Sequence, residues 1–265
     1  MANVVITGST QGIGRGLAAE FCKRGHNVTV AGRSQKKLSA ALEVLNNSTG
    51  KATGMCCDVT RSEEVQALWD HASEQFGTID IWINNAGLAR TTWQILDVPQ
   101  SEIEAMITTN MLGTINGSRT ASTGMKAQGS GKIFNMLGGG SDGEYFPGMG
   151  IYGTTKRGLD YFTNALAKEL SGSGVIIAKI RPGMIITDAV VREARQDLAS
   201  FEKSRSMMNN MVDTIETVAP YLVDRILATE KSGTKIRWLT GGKIAKRMMM
   251  ARLKKRPDQF EAFGL

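Results

Sequence analysis

Tyr152 and Lys156 stand four residues apart in Ile151-Tyr-Gly-Thr-Thr-Lys156. On a helix that spacing stacks a phenol and an ammonium on one face, one turn apart. A lysine charge beside a phenol favours the phenolate, so the pair is expected to give a tyrosine able to release and recover a proton near neutral pH. Far upstream lies a glycine-rich opening, Thr7-Gly-Ser-Thr-Gln-Gly-Ile-Gly14. In this order and at this distance, the two features point to hydride transfer to or from a carbonyl.

Hydride chemistry needs a nucleotide, and several segments are candidates to hold one. Gly8, Gly12 and Gly14, with Ser9, Thr10, Gln11 and Ile13 between them, follow an apolar strand-like run and open a helix. Glycines let the chain turn tightly against a pyrophosphate, and a helix start offers free N–H groups. The spacing is Gly-x-x-x-Gly-x-Gly, not the commoner Gly-x-Gly-x-x-Gly. After the second strand stands Ala31-Gly32-Arg33-Ser34, where an acidic residue would suit an unphosphorylated ribose. A guanidinium at Arg33 pairs with a 2′-phosphate and Ser34 adds a hydroxyl, so NADPH is expected over NADH.

Asp58, followed by Val59, has two readings: an acceptor for an adenine amino group, or a cap for the helix that begins near Arg61. Asn84-Asn85-Ala86-Gly87 places amides and small residues at the end of the fourth strand, where ligands of such sheets bind. Asn110 falls inside a long helical stretch, a mildly unfavourable place for asparagine that hints at a task. A carbonyl also needs a hydrogen-bond donor to hold it, and Ser141 is the one serine in the glycine-dense stretch 138–150. Its other reading is a turn stabiliser. His26 and His71 have no acidic or cysteine companions at ligand spacing, so neither a metal site nor a Ser/His/Asp nucleophile system is expected.

These residues need a scaffold, and the chain supplies alternating elements. Strands are expected at about 3–7, 27–31, 52–57, 79–84, 132–137, 175–181 and 235–239, with helices near 12–24, 35–47, 61–75, 100–127, 151–171 and 215–229. That alternation implies an α/β fold: one Rossmann-type, doubly wound parallel sheet of about seven strands with helices on both faces. The domain is read as 1–241, followed by a basic extension over 242–265. Within it, about 185–215 breaks the rhythm and carries Phe201, Met207, Met208 and Met211, as a lid over a substrate would.

Bulk composition narrows the partners. With 42% hydrophobic and 22% charged residues, the 265-residue chain reads as a soluble globular protein. Its net charge of +7 is a property of one end: ten Lys/Arg against two Asp/Glu after residue 230, but 22 against 23 before it. A nucleic-acid partner is therefore not expected, while the basic end is read as a solvated surface or a contact for anionic lipid or an acidic partner. Within that end, Met248-Met249-Met250 begins an amphipathic face that Arg252 and Lys255 interrupt. No apolar run reaches eighteen residues and no signal peptide is visible, and three cysteines (Cys22, Cys56, Cys57) suit a reducing compartment.

Taken together, Thr7-Gly8-x-x-x-Gly12-Ile13-Gly14, Asn84-Asn85-Ala86-Gly87, Asn110, Tyr152-x-x-x-Lys156 and Pro182-Gly183-x-x-x-Thr187 resemble the short-chain dehydrogenase/reductase family from residue 3 to about 240. The resemblance implies Asn110, Ser141, Tyr152 and Lys156 as the catalytic set. It adds Pro182, Gly183, Ile185 and Thr187 to the nucleotide site, with Thr187 near the carboxamide, and implies a dimer or tetramer. In most of the family the serine precedes the tyrosine by thirteen positions; here that position is Gly139, and Ser141 would need a shortened loop to take its place.

Ile133-Phe-Asn-Met-Leu-Gly-Gly-Gly-Ser141, Ile81-Trp-Ile-Asn-Asn-Ala-Gly87, Pro182-Gly-Met-Ile-Ile-Thr-Asp188 and Trp238-Leu-Thr240 further resemble the chlorophyll b reductase branch. That implies reduction of the 7-formyl group of chlorophyll b or chlorophyllide b to hydroxymethyl. It also implies a tetrapyrrole substrate and a place in the cytoplasm or at the edge of a photosynthetic membrane. The rivals are a reductase of 3-oxoacyl-thioester, steroid or sugar carbonyls, and a nucleotide-sensing scaffold that has kept the fold without the reaction.

Overall fold

The computed structural model describes every residue except Lys255, and every side chain except those of Ser200, Arg252 and Lys255. The interruption expected at Arg252 and Lys255 thus falls outside the described side chains. The first half of the chain runs β1 (Asn3–Ile6), α1 (Gly12–Lys23), β2 (Asn27–Gly32), α2 (Gln35–Leu45), β3 (Ala52–Cys56), α3 (Ser62–Phe76), β4 (Ile81–Asn84), α4 (Gln100–Met106) and α5 (Gly113–Gln128). It continues with β5 (Gly131–Met136), α6 (Gly150–Glu169), β6 (Val175–Arg181), β7 (Met184–Ile185), α7 (Asp188–Gln196), α8 (Leu198–Met211), β8 (Val212–Asp213), α9 (Ile215–Leu227), β9 (Lys235–Arg237) and α10 (Gly241–Leu253).

Seven strands form one parallel sheet in the order β3-β2-β1-β4-β5-β6-β9. Successive strand residues point to opposite faces, and both faces are buried. Val4, Ile6, Val28 and Val30 pack with Leu17 and Phe21 of α1 and Leu222 of α9. Val5, Ile133 and Ile177 face the other way, onto Trp69 of α3 and Met125 of α5. Burial on two sides is why these strands read as unbroken apolar runs instead of alternating ones. Because every strand is parallel, their C-terminal ends share one edge. The glycine loop, the Asn84–Gly87 turn, the 138–150 loop and the Arg181-Pro182-Gly183 turn all leave the sheet there.

Three local features differ from the sequence expectation. The helix expected over 100–127 is broken by a π-helical stretch, Ile107–Leu112, which carries Asn110. Such wide turns re-aim side chains and recur at functional sites. The last strand stops at Arg237, not 239, and Thr240 then caps α10 by accepting from the Lys243 N–H at 3.2 Å. The segment expected to be a lid is closed at its base, because β7 pairs in parallel with β8. Between them α7 and α8 build a small core of their own, Ile186, Ala194, Phe201 and Val212, against Phe260 near the C-terminus. Phe201 and Met208 therefore face this core and Met207 faces solvent. Of the lid's four large apolar residues named above, Met211 alone lines the cavity described below.

The basic end folds back onto the lid. Asp213 of β8, 1% exposed, receives Arg247 Nη2 at 2.9 Å on both carboxylate oxygens, Arg256 Nη2 at 2.6 Å and Trp238 Nε1 at 2.5 Å. Two of the tail's charges are thus spent inside the molecule. No helix among the described residues is long and apolar enough to cross a membrane.

Candidate active site

Along the C-terminal edge of the sheet runs a cavity of about 750 Å³. Its floor is the glycine loop, held from beneath by side chains that the sequence could only group together. Asn85 Nδ2 donates to the carbonyls of Thr7 and Gly8, both at 3.0 Å, and Thr7 Oγ1 accepts from the N–H groups of Asn85 and Ala86 at 3.1 Å. Ser9 is buried below the loop, accepting from the Ala31 N–H at 3.0 Å and donating to the Ile6 carbonyl at 2.5 Å. It joins β1 to β2 and has no face on the cavity. Gly14 is buried as well: a Cβ there would lie 2.4 Å from Asn85 Nδ2. Ser9 and Gly14, expected to touch the nucleotide, instead support the residues that line the cavity.

Gly8, Thr10, Gln11, Gly12 and Ile13 do line it, as do Arg33, Asp58, Val59, Asn85, Ala86, Gly87, Pro182, Gly183, Ile185 and Thr187. The cradle fits a pyrophosphate. Gly12 has φ of +56°, a left-handed conformation that favours glycine, and a Cβ on it would be in van der Waals contact with Thr187 at 3.7 Å. Among the described residues no side chain caps the first turn of α1, so its N–H groups are open to an anion. Ser34 is not in the wall; it caps α2, accepting from the Lys37 N–H at 3.4 Å. Lys37 itself, missed in the sequence reading, reaches the loop through Gln11 Oε1 at 2.6 Å and brings a second cation to the Arg33 end. Its position one turn after Ser34 was the available signal.

Asp58 does not cap a helix starting at Arg61. Arg61 occupies the cap position of α3 without a capping side chain, while Asp58 Oδ1 accepts from the N–H and hydroxyl of Thr60 at 3.0 and 2.8 Å. It closes a turn and still borders the cavity.

Tyr152 and Lys156 lie on α6 in the cavity wall, as a one-turn pair should. Their electrostatics differ from the expectation. Burial pushes the Tyr152 phenol up to about 12, with the charge of Arg181 pulling the other way. Lys156, 4% exposed, is itself brought down to about 8 by burial. Its ammonium donates to the Met136 carbonyl at 2.9 Å and lies 5.7 Å from the centre of the Tyr152 ring. A desolvated ammonium pointed at a carbonyl does little for the phenol, and burial keeps the phenol protonated at neutral pH. The alkaline limb of the kcat/KM profile should therefore report Lys156. Efficiency is expected to fall as pH rises through about 8, and Lys156→Arg should move the break upward.

Asn110 is fully buried, and its side chain is spent on structure. Oδ1 accepts from the Leu88 N–H at 2.7 Å, and Nδ2 donates to the Leu88 carbonyl at 2.9 Å and to Thr155 Oγ1 at 3.0 Å. It clamps the loop after β4 to α6, one residue from Lys156. Ser141 departs most from expectation. Its hydroxyl is sealed from solvent without a hydrogen-bond partner among the described residues, and the residue has no face on the cavity. Gly138 stands where a carbonyl-holding side chain would be: a Cβ on it would lie 2.1 Å from the Tyr152 oxygen. Ser141 is therefore outside the reacting arrangement.

Several wall residues had no sequence signal strong enough to select them. Arg181 ends β6 and pairs with Asp142 and Glu144, tying the 138–150 loop to the sheet. Lys235 and Arg237 reach Asp142 as well, at 2.5 and 3.0 Å. Against the cost of burial, the hydrogen bond from Lys235 and these charges hold Asp142 below the usual carboxylate range. Across the mouth, Thr91 Oγ1 donates to Glu193 of α7 at 3.0 Å; burial raises that carboxyl above its ordinary value. The substrate end is otherwise apolar, with Leu88, Phe146, Met149, Met211, Leu239 and Ile244.

The chain is similar to known proteins over most of its length. The model of the short chain dehydrogenase family matches residues 2–198. The chain is 38% identical over 257 residues to "Chlorophyll(ide) b reductase NOL, chloroplastic" of Oryza sativa subsp. japonica, covering 93% of this chain and 74% of that protein. It is 35% identical over 260 residues to "Probable chlorophyll(ide) b reductase NYC1, chloroplastic" of Arabidopsis thaliana, covering 91% of this chain and 51% of that one. The chain thus spans about half the length of the NYC1 relatives it matches. Among solved structures, ElxO with NADP bound superposes with a TM-score of 0.79 at 26% identity, over 92% of this chain and 99% of that one.

Proposed function

The chain belongs to the short-chain dehydrogenase family, and from that premise we propose that it is an NADPH-dependent reductase of the 7-formyl group of chlorophyll b or chlorophyllide b. The observation that carries the reading is a Tyr152/Lys156 pair opening on an apolar pocket beside a pyrophosphate cradle, in a chain related over nine-tenths of its length to chlorophyll(ide) b reductases. When bound, the nicotinamide supplies the hydride. Gly8, Gly12 and the free start of α1 hold the pyrophosphate, and Asp58 borders the adenine end. Thr187, which caps α7 by accepting from the Val190 N–H at 3.4 Å, lies over Gly12 beside Pro182, Gly183 and Ile185. Tyr152 donates its proton to the formyl oxygen, Lys156 orients the ribose, and the charge of Arg181 favours the phenolate left behind. The apolar walls from the 138–150 loop and the lid exclude water from the reacting carbon.

Arg33 and Lys37 support a 2′-phosphate and hence NADPH. Replacing both by alanine should lower the NADPH-to-NADH ratio of kcat/KM by about 100-fold, on the order of two charge-assisted contacts. An unchanged ratio would remove the pair from that role. Exposed Ile107, Leu112 and Tyr161 support a homo-oligomeric face, and exposed Met248, Met249 and Leu253 on a basic helix support peripheral contact with a photosynthetic membrane.

The function itself is tested by following the formyl absorption of chlorophyllide b with NADPH. Conversion to the hydroxymethyl product is the expected result. Reduction of an acetoacetyl thioester with no action on formyl chlorophylls would assign the chain to the rival acyl-thioester reductases.

A further inference from the structure

We infer that the substrate's carbonyl oxygen is held, opposite Tyr152, by the main-chain N–H groups of Gly138 and Gly139 and not by a serine hydroxyl. The inference rests on the reading of the protein as a carbonyl reductase and names the second donor of that site.

Three observations converge on these two amides. A side chain at Gly138 has no room, since its first carbon would sit 2.1 Å from the Tyr152 oxygen. Ser141 cannot substitute as the loop stands. Its N–H donates to the Gly138 carbonyl at 3.3 Å, its own carbonyl accepts from Arg157 at 3.1 Å, and its hydroxyl is sealed away. The N–H groups of Gly138 and Gly139, by contrast, have no partner among the described residues, and both glycines line the cavity. Unpaired main-chain donors beside an apolar cavity are costly unless water or a ligand takes them. Successive free N–H groups in a turn form an anion-binding concavity.

The turn is fixed before substrate arrives. Gly140, at φ +83°, brings the loop so close to α6 that a Cβ would lie 2.6 Å from the Gly153 Cα. Asp142 and Glu144 then pin the loop to Arg181. Donors held in place this way pay no reorganisation when charge develops. As hydride from the reduced nicotinamide adds to the carbonyl carbon, the π pair of the C=O bond moves onto oxygen. The two N–H dipoles stabilise that pair until oxygen takes the Tyr152 proton. The products are the alcohol, the oxidised nucleotide and a phenolate near Arg181 and Lys156, which solvent reprotonates.

The test compares chlorophyllide b reduction in three proteins: wild type, Ser141→Ala, and a chain in which Gly139 is replaced by glycolate, exchanging one N–H for an ester oxygen. Ser141→Ala should keep kcat/KM within about threefold, since it deletes an unpartnered hydroxyl. The glycolate chain should lose about 100-fold in kcat, the usual cost of one oxyanion donor, with the NADPH dissociation constant unchanged. In glycine-labelled wild type, the Gly138 and Gly139 amide protons should move downfield when the hydroxymethyl product is added with oxidised nucleotide. A Ser141→Ala loss as large as that of Tyr152→Phe, or a fully active glycolate chain, would overturn the inference. A wild type that reduces no carbonyl would instead defeat the functional reading on which it rests.

Discussion

Tyr152→Phe should lower kcat by about 10³-fold, within the usual range for a positioned acid, while the dissociation constant for NADPH changes by less than about threefold. The phenol oxygen forms no hydrogen bond with a described residue and is not needed to hold α6 in place, so its removal leaves the fold and the cradle alone. Burial keeps the phenol protonated far above neutral pH, so the wild type enters each reduction with its proton in place. Single-turnover measurements separate the two effects, because they report the chemical step apart from product release. A phenylalanine variant with near-normal single-turnover rates would show that the proton comes from elsewhere.

Asp213→Ala is expected to have the largest effect on stability. The carboxylate is buried and receives two guanidiniums and an indole N–H. Removing one partner of a buried ionic cluster leaves charge without compensation and costs about 3–5 kcal/mol. The lower end applies here, because Arg247 and Arg256 retain some solvent contact. About 3 kcal/mol corresponds to a fall in Tm of roughly 10 °C in a domain of this size. Asp213 pairs through β8 with the strand that carries Ile185 into the cavity wall. The same variant should therefore raise KM for substrate and expose the last twenty residues to proteolysis. Unaltered melting and proteolysis would mean that the tail and lid are not coupled through this carboxylate.

How legible these features were in sequence follows from the range of their contacts. The sheet was readable because burial on both faces writes a nearly continuous apolar run at its central strands, β1, β2 and β4, while the edge strands β3 and β9 were read from their place in the alternation. The glycine loop and the Tyr152/Lys156 pair were readable because their chemistry is local. Ser141 was selected as the one serine of the 138–150 loop, whereas position in the site is set by where β5 ends. Counting forward from Asn135 on that strand reaches Gly138 beside the phenol. Asp213 gave no signal, since its cationic partners lie 34 and 43 positions downstream and share no period with it. The two-residue strands β7 and β8 are too short to carry a pattern at all. Asn110 was singled out as out of place in a helix, and its side chain bonds Leu88 and Thr155, contacts too distant in sequence to be read from it.

The most direct trial of the account is the fate of a deuterium label. With NADPH deuterated at the transferable position of its nicotinamide ring and chlorophyllide b as acceptor, mass spectrometry of the product should find one deuterium on the carbon of the new hydroxymethyl group. A formyl group left intact, or a hydroxymethyl product free of deuterium, would contradict hydride transfer at this site.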